Sequence, residues 1–412
     1  MLFFPFLYPP YIHARPYKAQ HYVIESPSQV DPRLVEFIKL NVEAYYENLV
    51  GHYFPKGWTK PLTIYYSLNE SDTKQLYIKH GRKIKDVARG RYISNESTIY
   101  THRYMDDGGS NGLGTLFHEI THHFVHINFR NPPAWFNEGL ACFLGEQARV
   151  IKGKVTLGHP NPWREQKLRD YTEKRKKYSV KYLTSATDMQ FYRRKDSYHY
   201  VRALFYWIYE QGLLDEYLKN VQEQGYGLDV LVKTVKKPVT QINNEILEFI
   251  KKKCYPAAYY KDGLDTKTQE EKQKYYYQRA LSVDPDYQPA RLEIARYQFR
   301  KKKYERCRQF LKPILQKPNI PEYWRVLYLM AGSYYSEDNY NKALEYYQKG
   351  LEYSEYNEYK YEFYYWIANC HARLREPQNA KQYYQKFLDE NWEPDKHHDW
   401  VRYSTSYLRK NR

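Results

Sequence analysis

His118-Glu119-Ile120-Thr121-His122 and, sixteen residues beyond the second histidine, Glu138 within Trp135-Phe136-Asn137-Glu138-Gly139-Leu140-Ala141 decide how this chain reads. Residues four apart on a helix differ by about 40° in direction and about 6 Å in rise. His118 and His122 can therefore both bring a ring nitrogen to the ~2.0–2.1 Å that zinc requires. Glu119, one step round the helix, points beside such an ion, where a carboxylate suits a general base. Asn131-Pro132-Pro133 breaks the chain and starts a second helix near Ala134, which folds back and brings Glu138 within reach of a third coordination position. Trp135, Phe136, Leu140 and Phe143 mark a buried face around Glu138, where an unpaired carboxylate is costly. Two imidazoles, one carboxylate ligand and a neighbouring carboxylate suit one catalytic zinc ion with an open corner. His123 and His126 are not counted among the ligands, because one helix cannot converge three ligands spread over about 12 Å of rise on one ion. Cys142, four residues after Glu138, reads as a small buried hydrophobe close to the site.

Working outward, Asp31 to Tyr46 has helical periodicity and Leu62 to Tyr66 reads as a strand after Pro61. Tyr92-Ile93-Ser94 and Thr98 to Thr101 read as two short strands joined through Asn95-Glu96-Ser97. A glycine-rich stretch (Gly108, Gly109, Gly112, Gly114) leads into the histidine helix, with Ser110 or Asn111 as its N-cap. Leu116, Phe117, Ile120 and Phe124 give that helix an apolar stripe. Helical spacing returns at Ser197 to Gln211 and at Ile242 to Ile250. Strands first and helices afterwards predict an α+β domain over residues 30–255, preceded by an N-terminal segment, 1–29.

Over residues 262–412 the pattern changes to repeated short helices. Ala280, Ile314, Gly350 and Phe387 recur at equivalent places, with spacings of 34, 36 and 37 residues. Tyr340-Asn341-Lys342-Ala343-Leu344-Glu345-Tyr346-Tyr347 and Gln378-Asn379-Ala380-Lys381-Gln382-Tyr383-Tyr384 are the clearest copies. Residues 262–391 resemble a tetratricopeptide array, whose unit is a helical hairpin of this length. Cys307 departs from the small alanine of the other copies, and the closing proline is mostly missing.

His118 to His122 followed by Trp135 to Ala141 resembles the gluzincin metallopeptidases, specifically the compact peptidase MA-like domains that often precede tetratricopeptide repeats. The resemblance covers residues 60–250. It implies a thermolysin-like catalytic domain in which His118, His122 and Glu138 bind zinc and Glu119 polarises the attacking water. It also implies an edge strand, Thr98 to Thr101, that lines the cleft and pairs with extended peptide. The family's aminopeptidases use a tyrosine at the start of a later helix to stabilise the oxyanion. Asp196 to Tyr206 resembles that region, which makes Tyr198 the candidate, with His199 second and a plain core role as the competing reading. Arg202 stands where those enzymes keep glycine. Their Gly-x-Met-x-Asn segment has no match, because Gly90-Arg91-Tyr92-Ile93-Ser94-Asn95-Glu96 lacks it. Aminopeptidase specificity is therefore not expected, and endopeptidase action on a peptide or protein substrate is the default. The alternative is an inactive gluzincin-like protein whose repeats serve as a binding scaffold for a protein partner.

Composition sets the outer bounds. Lysine and arginine number 65 against 48 acidic residues, a net charge of +17. Lys83-Ile84-Lys85, Arg175-Lys176-Lys177, Lys251-Lys252-Lys253 and Arg300-Lys301-Lys302-Lys303 are scattered along the chain. A nucleic-acid surface would concentrate them in one stripe, so no specific nucleic-acid partner is expected. The cysteines (Cys142, Cys254, Cys307, Cys370) form no CxxC pair and predict neither a disulfide framework nor a thiolate metal site. Met1 to Pro10 is apolar but lacks early basic residues, and it reads as a degenerate or truncated signal that leans towards export. No run is long enough to cross a bilayer. The 49 tyrosines are read as replacing leucine at half-buried helical positions, with hydroxyls left wet.

Overall fold

The computed structural model describes residues 16–26, 32–81, 90–102, 113–146, 148–151, 153–174, 179–194, 196–266, 269–320, 323–354, 360–391 and 397–410. Gly108, Gly109, Ser110, Asn111 and Gly112, most of the 1–29 segment, and the clusters at 83–85 and 175–177 lie outside them. In order, the first elements are β1 (Tyr17–Lys18), β2 (Tyr22–Glu25), α1 (Pro32–Tyr53), β3 (Leu62–Ser67), α2 (Glu70–Lys79), β4 (Gly90–Ile93), β5 (Thr98–His102), α3 (Gly114–Asn128) and α4 (Ala134–Leu140). A π-helical turn, Ala141–Gly145, continues α4, and the hairpin β6 (Arg149–Ile151) and β7 (Lys154–Thr156) follows. Then come α5 (Pro162–Glu173), α6 (Val180–Ser185), α7 (Asp188–Arg193), α8 (Ser197–Glu210), α9 (Leu214–Gln224), α10 (Leu228–Val235) and α11 (Val239–Phe249).

The described residues are mostly helical, with one small mixed sheet in the order β1-β2-β3-β5-β4. β3 runs parallel to β2 and β5, while β4 runs antiparallel to β5. The hairpin expected around residues 92–101 is present, but its order in the sheet corrects one expectation. Thr98–His102 lies between β3 and β4 and is buried at every position, so it is not the edge strand. The edge beside α3 is the earlier strand, Gly90–Ile93. A hairpin's two strands carry the same local signature, and only the non-local pairing with β3 decides which one is covered.

The histidine helix α3 is seated by its apolar stripe, with Leu116, Phe117, Ile120 and Phe124 all buried. Phe117 stacks on Tyr45 of α1 at 4.3 Å between ring centroids, and Trp58 meets Phe124 edge-on at 4.8 Å. The Tyr45 hydroxyl lies 2.7 Å from Thr121 Oγ1 and donates to the Leu144 carbonyl at 3.1 Å. It thus ties α1, α3 and the π-helical turn together.

The chain continues through a second π-helical turn (Ile250–Cys254) into α12 (Tyr255–Asp265), α13 (Glu270–Val283), α14 (Gln288–Arg300), α15 (Tyr304–Leu315), α16 (Tyr323–Tyr335), α17 (Tyr340–Glu352), α18 (Lys360–Arg373), α19 (Pro377–Glu390) and α20 (His398–Lys410). These pack as consecutive antiparallel pairs, α12 with α13 through α18 with α19, with α20 against the last. Ala280, Ile314, Gly350 and Phe387 all fall on the second helix of a pair and are buried. Cys307, Ala343 and Ala380 occupy matching fully buried places near the start of those helices, so a thiol substitutes for a methyl without polar consequence. The first pair opens at Tyr255, upstream of residue 262, where the period becomes legible. Several tyrosines are more deeply placed than half-buried. Tyr347, Tyr361 and Tyr384 are core residues, and Tyr384 satisfies its hydroxyl by donating to Asn369 Oδ1 at 3.2 Å instead of to water.

Candidate metal centre

Three acceptors from two elements meet at one point. His118 Nε2 lies 3.1 Å from His122 Nε2, and Glu138 Oε2 lies 3.4 Å from the first and 3.8 Å from the second. A tetrahedral ion with bonds of ~2.0–2.1 Å requires its ligand atoms to sit roughly 3.3 Å apart, so the triangle has the right size for zinc. α3 contributes the histidines from adjacent turns. α4 contributes Glu138 because the break at Asn131–Pro133 turns the chain back, with Asn131 in the left-handed region at φ 47°.

The outer ring nitrogens each face an oxygen. His122 Nδ1 donates to Asn137 Oδ1 at 2.8 Å, and His118 Nδ1 faces Glu146 Oε1 at 3.2 Å, somewhat off the hydrogen-bond axis. With protons on both Nδ1 atoms, two Nε2 lone pairs and a carboxylate oxygen face one another. That arrangement is favourable only with a positive charge among them, and this is the test by which the residues fit a metal ion. The electrostatics agree. Burial opposes charge on His118, yet Cys142, Glu138 and Glu146 draw its pKa well above the usual imidazole range. Burial likewise opposes charge on Glu138, but His118, His122 and Arg164 hold its carboxyl below the usual range.

Glu119 sits on the sheet side of α3. Its Oε2 accepts the Tyr92 N–H of the edge strand at 2.8 Å. Gly90 leaves the space it needs, since a Cβ there would lie 2.6 Å from Thr115 Cγ2 and 3.0 Å from Glu119 Cγ. Burial raises the Glu119 carboxyl pKa, while His118 and His122 pull it down. A desolvated carboxylate beside a cation site is equipped to hold a proton at Oε1 or Oε2.

A tyrosine other than Tyr198 touches Glu138 directly. Tyr192, on the short helix α7, donates its hydroxyl to Glu138 Oε1 at 3.3 Å and is 52% exposed. Tyr198 stands behind it, packed 5.3 Å from Phe191 and 6.3 Å from Tyr192 between ring centroids, with the Arg164 guanidinium over its ring. His199 is buried against Trp163 and Tyr171, and burial lowers its pKa to about 3, so it is held as the neutral imidazole. Arg202 is buried as a salt bridge with Glu165 at 2.7 Å and donates to the His159 carbonyl, which makes it a structural cation. His123 is buried, with Nδ1 3.0 Å from the Tyr92 hydroxyl, and His126 is exposed. Neither lies in the cluster formed by His118, His122 and Glu138. Asn137, Glu146, Arg164 and Tyr192 went unassigned in the sequence. The one local signal for Tyr192 is the Thr187-x-x-Gln190 capping box that starts its helix.

Residues 325–357 and 361–391 match the model of the tetratricopeptide repeat family. The chain is also similar to a solved structure from a functional characterization of Pseudomonas aeruginosa pilF. Identity there is 19%, the match covers 43% of this chain and 87% of that one, and the TM-score is 0.31. No curated protein matches. The segment 325–391 is therefore a tetratricopeptide repeat region, the kind of module that presents a surface to a protein partner.

Proposed function

We propose that the chain is a zinc-dependent peptide-bond hydrolase with a thermolysin-like amino-terminal part, and that its tetratricopeptide repeats recruit a protein partner or substrate. The observation that carries this reading is the convergence of His118 Nε2, His122 Nε2 and Glu138 Oε2 within 3.1–3.8 Å, with Glu119 beside them. His118, His122 and Glu138 would hold the ion, which supplies Lewis acidity and makes water a nucleophile near neutral pH. Glu119 takes the proton from the attacking water and returns it to the departing amine. Tyr192, with its hydroxyl already at the ligand carboxylate, and Tyr198 behind it are the phenols available to donate to developing oxyanion charge. Among the described residues β4, which pairs with β5 along Gly90–Ile93, is the outermost strand beside α3 and would be the one to meet an extended peptide.

Glu119→Gln should keep the metal and lower hydrolysis of a casein-type substrate by about 10²–10⁴-fold. Parental activity in that variant, with equal zinc content, would contradict the reading. The scaffold alternative draws on the repeat region. It predicts that zinc-loaded full-length protein turns over no peptide yet retains a protein partner.

A further inference from the structure

Beyond the ligand set, the most completely built polar cluster among the described residues surrounds Glu146. Its carboxylate is gripped by Arg164, with Nε donating to Oε2 at 2.6 Å and Nη2 donating to Oε1. Asn161 Nδ2 adds a donor to Oε2 at 2.9 Å. Asn161 is itself fixed as the N-cap of α5, where its Oδ1 accepts the Arg164 N–H at 3.1 Å. Both Glu146 oxygens are thus anchored from one side, while Oε1 also accepts the Cys142 thiol at 3.6 Å and lies 3.2 Å from His118 Nδ1.

The helical phase shows why Glu146 arrives there. Eight α-helical steps from Glu138 would leave residue 146 about 80° round the axis from it. The π-helical turn, closed by Glu146 N–H to the Ala141 carbonyl at 3.3 Å, absorbs one residue. Residue 146 then falls near seven steps, within about 20° of the Glu138 direction. Gly145 lets this turn lie against α3, because a Cβ there would stand 2.5 Å from His118 Cα.

We infer that Glu146, clamped by Arg164 and Asn161, is the positioning carboxylate for His118: it keeps the proton on Nδ1 and turns Nε2 towards the ion. The inference rests on reading His118, His122 and Glu138 as the metal ligands. Asn137 performs the corresponding service for His122. His118, Cys142 and Glu146 also lie close enough to suggest a second metal group. The Arg164 guanidinium already occupies both Glu146 oxygens there, and a second cation would be repelled.

Zinc affinity of the full-length protein, measured by competition with a chromophoric chelator, tests the assignment. Glu146→Gln should weaken zinc binding by roughly 10–100-fold and shift the visible absorption of the cobalt-substituted protein. Asn161→Asp keeps the helix cap but faces Glu146 with a carboxylate, and should weaken binding by roughly 3–10-fold. Glu165→Gln is the comparator, since Glu165 is a fully buried carboxylate on α5, the helix that carries Arg164, but pairs with Arg202 instead of a ring nitrogen of His118. It should lower the melting temperature and leave the zinc Kd unchanged. Parental affinity in folded Glu146→Gln, or an equal loss in Glu165→Gln, overturns the inference. If Glu146→Gln does not fold, parental affinity in Asn161→Asp does the same. Two zinc ions per chain would make Glu146 a ligand and also overturn it. A parental chain that binds no zinc removes the metal reading itself, which is a distinguishable result.

Discussion

Among the buried imidazoles away from the His118–His122–Glu138 cluster, His123 and His199 are held uncharged in the interior. Burial lowers the first to about 4 and the second to about 3. In the unfolded chain both return to about 6.5. Between these values the unfolded state binds the extra proton, so folding stability falls as pH drops below about 6.5, until the folded pKa is reached. Each such group contributes a slope of about 1.4 kcal/mol per pH unit. His199→Phe removes one of them. Relative to the parent, that variant should gain about 1 kcal/mol per pH unit in urea unfolding as pH falls from 6.5 to 5. A difference that stays constant with pH would show that His199 is not buried neutral. At this scale the approach of His118 to His122 was legible in the sequence, because a spacing of four on one helix is a local property that no tertiary contact has to supply. Glu146, Arg164 and Tyr192 were not, since each reaches its place through the relative packing of α4, α5 and α7.

Among the elements, the π-helical turn does most to shape the site. It joins the Glu138 helix to the hairpin and brings Gly145 against the backbone of α3. Gly145→Ala should force α3 and the turn apart, costing roughly 1–3 kcal/mol by urea denaturation and weakening zinc retention together with stability. A variant as stable as the parent would mean that the approach is looser than 2.5 Å implies. Helical periodicity cannot announce such a turn, because a single extra residue leaves the apolar pattern almost intact. The sheet shows the same limit. Leu62–Ser67 and the 90–102 hairpin were readable from composition and turn residues, whereas their order required knowing that β3 pairs with β5. β1 and β2 were missed because a two-residue and a four-residue strand carry too little alternation to register.

Over the whole molecule, α5 links the candidate centre to the repeats. Arg164 on it clamps Glu146, while Arg169 binds Asp262 of α12 at 2.5 Å and Gln166 donates to the same carboxylate at 2.8 Å. Removing one partner leaves a mostly buried guanidinium short of its charge. Asp262→Ala is therefore expected to cost roughly 1–3 kcal/mol in unfolding free energy, and unchanged stability would argue against a tight α5–α12 contact. The repeat region was legible in outline because each hairpin repeats the same packing problem at a period of 34–37 residues, and small or apolar residues recur wherever two helices approach. How α12 serves both the first hairpin and α5 was not legible, because that contact is made once. No helix among the described residues is long and apolar enough to cross a membrane.

The most direct test is elemental analysis of the purified full-length protein beside His122→Ala, after dialysis against a weak chelator. The account predicts about one zinc per chain in the parent and little in the variant. A parent without metal, or a variant that keeps as much as the parent, would contradict it.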